Sequence, residues 1–404
     1  MNRIEILTRA SGLHDAKQVE SLKSDLLRRI GANVPFDLAD VTQPSAEGLV
    51  AILVLTGGVE RDVLKLVARL PSPTLLIAHE GHNSLPASLE ILARIRQDGG
   101  EGRILFGPPE TIAAGLAQEL AVADAWQKLR FSRVGLIGEP SEWLVASDID
   151  RAFLKGRLSI ELVSIGVDRL VEEIASVAAP RKAASRFTKD ATMVDGPNGG
   201  DVQGAIAIYE GLRKIVDANR LSACTVRCFD LLDRLRNTGC YALSRLNDER
   251  VPAGCEGDLQ SLFTLYVAFL LTDQVAFMGN VSAVDLEDRV VSMAHCTCPL
   301  SLTAQYSIQT HFESGLGVGI SGDVPPGPCT VFRLGGERLN HLFVRDGEIV
   351  GRTQRDDLCR TQLRVRVDDP IDELLHAPLG NHHILVAGHH RETIERFFNR
   401  YLRS

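Results

Sequence analysis

The sequence has no excess of positive charge: 52 acidic side chains outnumber 44 basic ones, and the formal net charge is −8. This balance argues against a general nucleic-acid-binding protein, whose surface would be basic. Long hydrophobic runs are also missing. The most apolar window, Leu262 to Leu271, is far shorter than the roughly 20 residues that a membrane-spanning helix needs. Residues 1–7 contain no apolar segment of the signal-peptide kind. We therefore expect a cytoplasmic protein that binds neither nucleic acid nor membrane.

The common cofactor-binding motifs are absent as well. Gly57-Gly58 and Gly135-x-x-Gly138 follow apolar runs, but neither matches the dinucleotide-binding or Walker pattern, and we interpret both as simple turns. The eight cysteines do not show the paired spacing, CxxC with CxxC or with HxxxH, that is typical of zinc sites. Because disulfides are rare in cytosolic proteins, we interpret these cysteines as buried free thiols.

The order of apolar and amphipathic segments predicts the fold class. A chain of 404 residues with 45% hydrophobic content can bury an ample core and form two or three domains. Short apolar runs alternate with helical patterns in its first two thirds, which indicates parallel sheets covered by helices. Short β-like runs then follow. We expect an α/β protein with two parallel-sheet α/β domains (1–131 and 132–274) and a β-rich C-terminal domain (275–404).

One turn in the C-terminal segment has a specific signature. Asp346-Gly347 separates two β-like runs, residues 338–345 and 348–353. This dipeptide is typical of tight β-hairpin turns, because both turn residues there adopt positive φ angles. The sequence thus predicts a hairpin centred on Asp346-Gly347.

Two carboxylates two residues apart stand out as candidate chemistry. Glu256 and Asp258 lie in the segment Gly254-Cys255-Glu256-Gly257-Asp258, after an apolar helical stretch. Like charges this close repel each other unless a cation or a proton lies between them. The alternative is a solvated turn in which Asp258 caps the next helix. His295 and the pair His382-His383 are separate imidazoles that the fold would have to bring to these acids to form a metal site.

The loop from His79 to Ser84 follows an inferred parallel strand, where ligands commonly bind. Its side chains, among them His82 and Asn83, are candidates for ligand contact. The alternative is that they are polar loop residues that cap the following helix.

The order of several segments resembles the L-fucose isomerase and L-arabinose isomerase superfamily, and more closely its shorter fucose isomerase-like proteins. The matching segments are Asn247-Asp248, Ala253 to Asp258, Thr225 to Asp230, Ala294 to Pro299, His311 to Gly315 and Gly380 to His383. The resemblance implies two α/β domains followed by a β-rich domain, a homo-oligomer (trimer or hexamer), and Mn²⁺ or another divalent metal. It also implies an isomerase that interconverts the aldose and ketose forms of a small-molecule sugar.

The resemblance carries roles over to individual residues. Glu256 matches the family's first metal-binding carboxylate, while His382 and His295 match two histidine ligands. Asn280 stands where the family has a second acid that serves as ligand and base. An amide can bind a metal but cannot act as a base, so Asp285 or Asp258 would have to stand in for the missing acid, and we expect Glu256 to serve as both metal ligand and base. The residues expected to bind substrate are Arg227, His82, Asn83 and Asp258.

The chemistry that these residue types support is proton transfer between C1 and C2 of a sugar through an enediol, with a metal that polarises the oxygens. Other reactions at the same site remain open, since loss of one acid could leave a sugar epimerase or a lyase. A non-catalytic sugar-binding protein is the third alternative, because pairs of α/β domains also serve as ligand sensors.

Overall fold

The computed structural model describes residues 3–45, 48–70, 73–178 and 180–403. Residues 1 and 2 lie outside the described residues. They belong to the stretch, residues 1–7, in which we expect no signal peptide. The chain divides into two compact units, Met1–Asp124 and Ala125–Ser404. The two segments that the sequence separates at residue 274 therefore belong to one compact unit.

The first unit contains a parallel sheet in the order β2-β1-β3-β4-β5. Its strands are β1 (Arg3–Arg9), β2 (Asp37–Asp40), β3 (Leu49–Val54), β4 (Thr74–Ile77) and β5 (Gly102–Leu105). The helices that alternate with them are α1 (Ala16–Gly31), α2 (Glu60–Val67), α3 (Ser84–Gln97) and α4 (Pro109–Leu129), and the boundary between the units falls within α4. Every residue of β3 is apolar and buried, as expected for a parallel strand covered on both faces.

The second unit begins with another parallel sheet, in the order β10-β9-β6-β7. Its strands are β6 (Arg133–Ile137), β7 (Glu161–Ile165), β9 (Ala223–Val226) and β10 (Ala253–Cys255). The helices of this region are α5 (Arg151–Gly156), α6 (Val167–Ala175), α7 (Arg181–Asp190), α8 (Gly199–Asn219), α9 (Phe229–Leu235), α10 (Cys240–Asp248) and α11 (Leu259–Thr272).

A closed six-stranded barrel follows, in the order β11-β12-β17-β16-β15-β18. Its strands are β11 (Phe277–Asp285), β12 (Val290–His295), β15 (Gly327–Gly335), β16 (His341–Gly351), β17 (Thr361–Val367) and β18 (His382–Ala387). A small sheet joins β8 (Val194–Asp195), β13 (Gln305–Gln309) and β14 (Gly319–Asp323). The remaining helices are a short 3-10 turn (Leu300–Leu302), α12 (Glu373–His376) and α13 (Arg391–Tyr401). The parallel sheets and the β-rich C-terminal region confirm the predicted fold class.

Helix α11 connects the parallel sheet to the barrel. It is apolar around most of its circumference and almost entirely buried, because it packs on β9 and β10 on one side and on β15 and β18 on the other. A helix covered on all sides needs no polar face. Within the described part of the chain, no helix is long and apolar enough to cross a membrane.

The hairpin predicted at Asp346-Gly347 is wrong, because β16 runs straight through both residues. The glycine is needed for close packing: a Cβ atom at Gly347 would lie 2.2 Å from the carbonyl oxygen of Arg366 on β17. The Asp346 carboxylate accepts hydrogen bonds from the Thr330 hydroxyl and from the backbone N–H of Arg391 at the start of α13. Asp346 and Gly347 are thus required by contacts of a continuous strand, although together they have the sequence signature of a turn.

Candidate metal centre

The acidic turn after β10 places two carboxylates at the start of α11. Cys255 ends the strand, and Glu256 and Gly257 form the turn with φ angles of 63° and 72°. Asp258 is the N-cap of α11, where its Oδ1 accepts the Ser261 N–H at 2.8 Å and its Oδ2 accepts the Ser261 hydroxyl at 2.7 Å. The capping role considered from the sequence is present, but the turn is buried rather than solvated, with Glu256 only 8% exposed and Asp258 0%.

Gly257 has no room for a side chain. A Cβ atom there would lie 2.8 Å from the carbonyl oxygen of Glu139 and 2.8 Å from the Cα of Pro140, both backbone atoms. We expect Gly257→Ala to lower the free energy of unfolding by about 1–3 kcal/mol. Gly315→Ala is a matched control, since Gly315 also has a positive φ but nothing within 4 Å of its Cβ position. Urea denaturation of both variants checks this, and an equal loss in the two would contradict the packing argument.

His382, the first residue of β18, lies between the two carboxylates. Its ring is fully buried, with Nδ1 3.0 Å from Asp258 Oδ2 and Nε2 3.5 Å from Glu256 Oε1. The second separation is too long for a good hydrogen bond, and within the described residues Nε2 has no hydrogen-bond partner. Since Nδ1 donates to Asp258, Nε2 is the ring nitrogen that a metal would bind, on the side of Glu256.

The charges around His382 call for a cation at this point. Burial alone would lower the pKa of His382, but the carboxylates of Asp258 and Glu256 outweigh it and raise the pKa to about 9. Burial opposes ionisation of Glu256 as well, yet His382 and the Trp143 N–H hold the pKa of this carboxyl below its usual value. Near pH 7 the metal-free site therefore pairs an anionic Glu256 with a protonated His382, and a divalent ion bound at Nε2 would replace that proton as the positive charge between the two carboxylates.

His295, at the end of β12, supplies a second buried imidazole. Its ring centroid is 5.3 Å from that of His382, and its Nε2 has no hydrogen-bond partner in the described part of the chain. Nδ1 lies 2.8 Å from the Thr297 hydroxyl and 3.3 Å from the Thr297 backbone N–H. Because the Thr297 N–H donates to Nδ1, the proton of the metal-free ring lies on Nε2. A metal bound at Nε2 would require the other tautomer, in which Nδ1 donates to the Thr297 hydroxyl. Burial and the neighbouring His382 lower the pKa of His295 to about 4, so this ring is neutral near pH 7.

These donors fit a divalent metal. Within the described residues the Nε2 atom of His295 has no hydrogen-bond partner, and that of His382 faces Glu256 Oε1 at 3.5 Å, so a metal bound between them would supply a partner to both buried nitrogens. His382 also donates its other ring nitrogen to a carboxylate, an arrangement typical of histidine metal ligands. Among the described residues, Cys255, Glu256 and His295 form the group whose possible ligand atoms all lie within 4.8 Å of one another.

Trp143 holds the second oxygen of Glu256. Its indole N–H donates to Glu256 Oε2 at 2.7 Å, and its ring packs edge-on against Phe229 with centroids 4.9 Å apart. Arg227 fixes the loop that carries Trp143, because its guanidinium donates to the Pro140 carbonyl at 3.0 Å and to Glu142 at 2.6 Å. The orientation of Glu256 thus depends on a tryptophan at the end of the loop after β6.

Trp143→Phe removes this hydrogen bond and keeps an aromatic ring. We expect metal affinity to fall by about 10-fold or more, the usual effect of losing a hydrogen-bond partner of a ligand. Isothermal titration of the metal-stripped protein measures it. Trp126→Phe is the control, since Trp126 stacks on Tyr401 at 4.4 Å and does not line the cavity described below. Equal affinity in the two variants would contradict the role given to Trp143.

A buried arginine contacts two residues of the candidate metal centre. Arg333 on β15 is fully buried, and its Nη1 lies 3.7 Å from Asp258 Oδ2. Its other contacts are hydrogen bonds to the Leu379 carbonyl (3.0 Å), the Ser261 hydroxyl (2.7 Å), the His382 carbonyl (2.5 Å), the Ser147 hydroxyl (3.0 Å) and the Gln260 amide oxygen (3.3 Å). Arg333 therefore fixes both Asp258 and the backbone of His382.

A cavity of about 420 Å³ opens beside the candidate ligands. Its polar lining includes Glu256, His295, Asn280, His311 and Glu313, and its apolar lining includes Phe229, Leu232, Phe312 and Leu358. Five cysteines also line it: Cys228, Cys240, Cys255, Cys296 and Cys359. Its volume lies in the range typical of small-molecule sites.

The structure brings together Glu256, His295 and His382, the three ligands implied by the resemblance. Asn280 on β11 pairs directly with His382 on β18 and lines the cavity, but its amide oxygen already accepts a hydrogen bond from Asn381 at 3.0 Å. Asp285 lies at the opposite end of β11, exposed, and its carboxylate accepts the Asp288 N–H. It is therefore not placed to act at this site.

The residues expected to bind substrate lie in three different settings. Asp258 has no exposed surface and supports His382 instead. Arg227 uses its guanidinium on Asp230, Glu142 and the Pro140 carbonyl, and it is not among the described residues that line the cavity. His82 and Asn83 are exposed in the first unit, at the end of the loop after β4. Asn83 is the N-cap residue of α3 but makes no side-chain capping bond. A role of His82 and Asn83 in binding stays a prediction.

Sequence reasoning missed Trp143, Arg333 and the position of Cys255. Two of these residues, Trp143 and Arg333, have sequence features from which they could have been identified as candidates. Trp143 follows the carboxyl end of a parallel strand, where ligand sites form, and Arg333 interrupts the apolar run of β15, which indicates a buried ion pair. Cys255 carried no signal besides its position next to Glu256.

No protein-family model matches this chain. Among curated proteins, the chain is 21% identical over 316 residues to a sulfoquinovose isomerase of Alkalicoccus urumqiensis. The aligned region covers 75% of this chain and 71% of that protein. It is 24% identical over 248 residues to a sulfoquinovose isomerase of Clostridium sp. (strain MSTE9). This aligned region covers 57% of this chain and 54% of that protein, so the match spans about half the length of this relative. We conclude that the protein is an enzyme related to sugar isomerases.

Proposed function

We propose that the protein is a divalent-metal-dependent aldose–ketose isomerase. The proposal rests on the two buried imidazole nitrogens, of His295 and His382, that lack partners within the described residues and lie with the Glu256 carboxylate beside a cavity large enough for a monosaccharide. The similarity to two sulfoquinovose isomerases supports the same class of reaction.

Glu256, His295 and His382 would hold the metal. When bound, it would polarise the carbonyl and adjacent hydroxyl oxygens of the sugar. The protein side chains around the ligands fix their orientation. Asp258 keeps the proton of His382 on Nδ1, the Thr297 hydroxyl can do the same for His295, and Arg333 anchors Asp258.

We assign proton transfer at carbon to Glu256. The cavity lining contains two carboxylates among the described residues, Glu256 and Glu313. Glu256 is buried beside both histidines, whereas Glu313 is exposed. Burial limits the contact of this base with bulk water, so part of the abstracted proton reaches the adjacent carbon and part is exchanged for a solvent proton first. We assign the exchange of hydroxyl protons with solvent to Glu313, in place of Asp285, the acid expected from the sequence.

The substrate is an aldose small enough for the cavity. The names of the relatives make sulfoquinovose the first sugar to test. However, the described residues that line the cavity include no Arg or Lys that could pair with a sulfonate. The apolar lining residues Phe229, Leu232, Phe312 and Leu358 instead favour a sugar that carries a neutral, apolar substituent.

A comparison of sulfoquinovose with quinovose, which lacks the sulfonate, tests both statements. The metal-stripped protein is reconstituted with Mn²⁺, Zn²⁺ or Co²⁺, and ketose formation is followed by NMR. We expect conversion only with metal, and a higher kcat/KM for quinovose. A preference for sulfoquinovose would contradict the substrate assignment, and failure to form ketose from either sugar or from a panel of pentoses and hexoses would sink the proposed function. The predicted trimer or hexamer is tested separately, by light scattering of the purified protein.

A further inference from the structure

Cys255 lies among the candidate ligands. Its sulfur, a carboxylate oxygen of Glu256 and a ring nitrogen of His295 are all within 4.8 Å of one another, and the three residues are buried. Cys255 precedes Glu256 at the end of β10 and lines the same cavity. The sequence interpretation of all eight cysteines as buried thiols without a role does not account for this position.

The surroundings of the sulfur match those of the other donors. The Sγ atom of Cys228 lies 2.9 Å from that of Cys255, so the Cys228 thiol can donate a hydrogen bond to a Cys255 thiolate. Glu256 has such a partner in Trp143, His295 in Thr297 and His382 in Asp258. Metal ligands in proteins generally have hydrogen-bond partners of this kind, which orient them and tune the metal. Cys255 therefore has the environment of a fourth ligand.

We propose that Cys255 is a ligand of the metal held by Glu256, His295 and His382. This inference rests on the metal centre of the proposed function. Binding replaces the thiol proton, which is released to solvent, by a metal–sulfur bond. A set of one thiolate, one carboxylate and two imidazoles suits Zn²⁺, Fe²⁺ or Co²⁺, whereas Mn²⁺ prefers oxygen donors. The centre should thus select a softer metal than the Mn²⁺ implied by the resemblance.

Cobalt(II) is the probe for this assignment. The full-length metal-stripped protein is titrated with Co²⁺ and followed by absorption spectroscopy. We expect visible d–d bands together with a near-ultraviolet sulfur-to-cobalt charge-transfer band. Cys255→Ser should remove the charge-transfer band and keep the d–d bands. Cys224→Ser is the matched control, since Cys224 is buried on the neighbouring strand β9 and does not line the cavity. This control should retain the band.

Metal competition gives a second measurement. The wild-type protein should prefer Zn²⁺ over Mn²⁺, and this preference should fall by about 10-fold or more in Cys255→Ser. Loss of a residue that only orients a metal ligand already lowers metal affinity by such a factor. If that variant fails to fold, X-ray absorption of the zinc-loaded wild-type protein decides, because a sulfur ligand scatters at about 2.3 Å.

The outcomes separate this inference from the metal centre itself. Cobalt binding without a charge-transfer band, a band that persists in Cys255→Ser, or zinc without a sulfur neighbour would each overturn the assignment of Cys255 and leave the metal centre standing. Binding of Mn²⁺ without binding of Co²⁺ or Zn²⁺ would also overturn the assignment of Cys255 alone. If none of Mn²⁺, Co²⁺ and Zn²⁺ binds the wild-type protein, both the assignment and the proposed function are overturned.

Discussion

Replacement of Glu256 by glutamine is expected to lower kcat/KM for aldose–ketose conversion by about 1,000-fold or more. Proton transfer by a positioned side chain accounts for factors of roughly 100 to 10,000 in enzymes, and the same change weakens a metal ligand. Glutamine keeps the size of the side chain but can neither accept the proton nor carry the negative charge beside His382 and the Trp143 N–H. Kinetics at saturating metal, with metal content measured on the same sample, distinguish loss of the base from loss of the metal.

Two other acids serve as controls for Glu256→Gln. Asp285→Asn changes an exposed turn residue whose carboxylate accepts the Asp288 N–H, and it should leave activity within about twofold of wild type because surface substitutions rarely matter. Glu313→Gln should have an intermediate effect, since Glu313 lines the cavity but is exposed. If Glu256→Gln keeps more than a tenth of wild-type activity, Glu256 is not the base.

Replacement of Arg333 by methionine is expected to lower the free energy of unfolding by about 3–5 kcal/mol, the usual cost of breaking a buried ion pair by removing one partner. Arg333 and Asp258 are both fully buried, and the guanidinium also binds the carbonyl oxygens of His382 and Leu379. Methionine fills a similar volume but leaves these acceptors and the Asp258 charge without their donor. The loss in stability should be accompanied by weaker metal binding, because Asp258 orients His382.

An exposed arginine gives the reference for Arg333→Met. Arg355 pairs with Asp357 at 2.5 Å on the surface, where water and salt screen such pairs and they add little to stability. Urea denaturation of Arg355→Met should therefore differ little from wild type. A loss below about 1 kcal/mol in Arg333→Met would show that the buried network around Asp258 does not stabilise the fold.

Local patterns in the sequence were sufficient for the fold class but not for every element. Alternating apolar and amphipathic segments predicted the parallel sheets because burial on both faces leaves a continuous apolar run, as in β3. The Asp346-Gly347 signature failed because glycine is also required where two backbones approach closely, and here β17 lies against Gly347. A dipeptide cannot distinguish these two reasons for a glycine.

The candidate site illustrates a different limit. Glu256, His295 and His382 come together because β11 pairs with β18 to close the barrel and because α11 packs beneath it. No local pattern reports such long-range pairing, so before the structure only the resemblance to a family linked these residues. Arg333 and Trp143 reach the site through packing alone, whereas Cys255 is brought there as the neighbour of Glu256 in the sequence. Their roles, like those of the three ligands, are proposals that the variants above test.

The central claim is that this protein moves a proton between C1 and C2 of an aldose with the help of a bound divalent metal. Incubation of the metal-loaded protein with its aldose in D₂O, followed by ¹H NMR, tests the claim most directly. We predict ketose formation together with deuterium at C2 of the recovered aldose, and neither in the metal-stripped protein or in Glu256→Gln. Ketose formed without any deuterium incorporation, or conversion that continues without metal, would contradict the account.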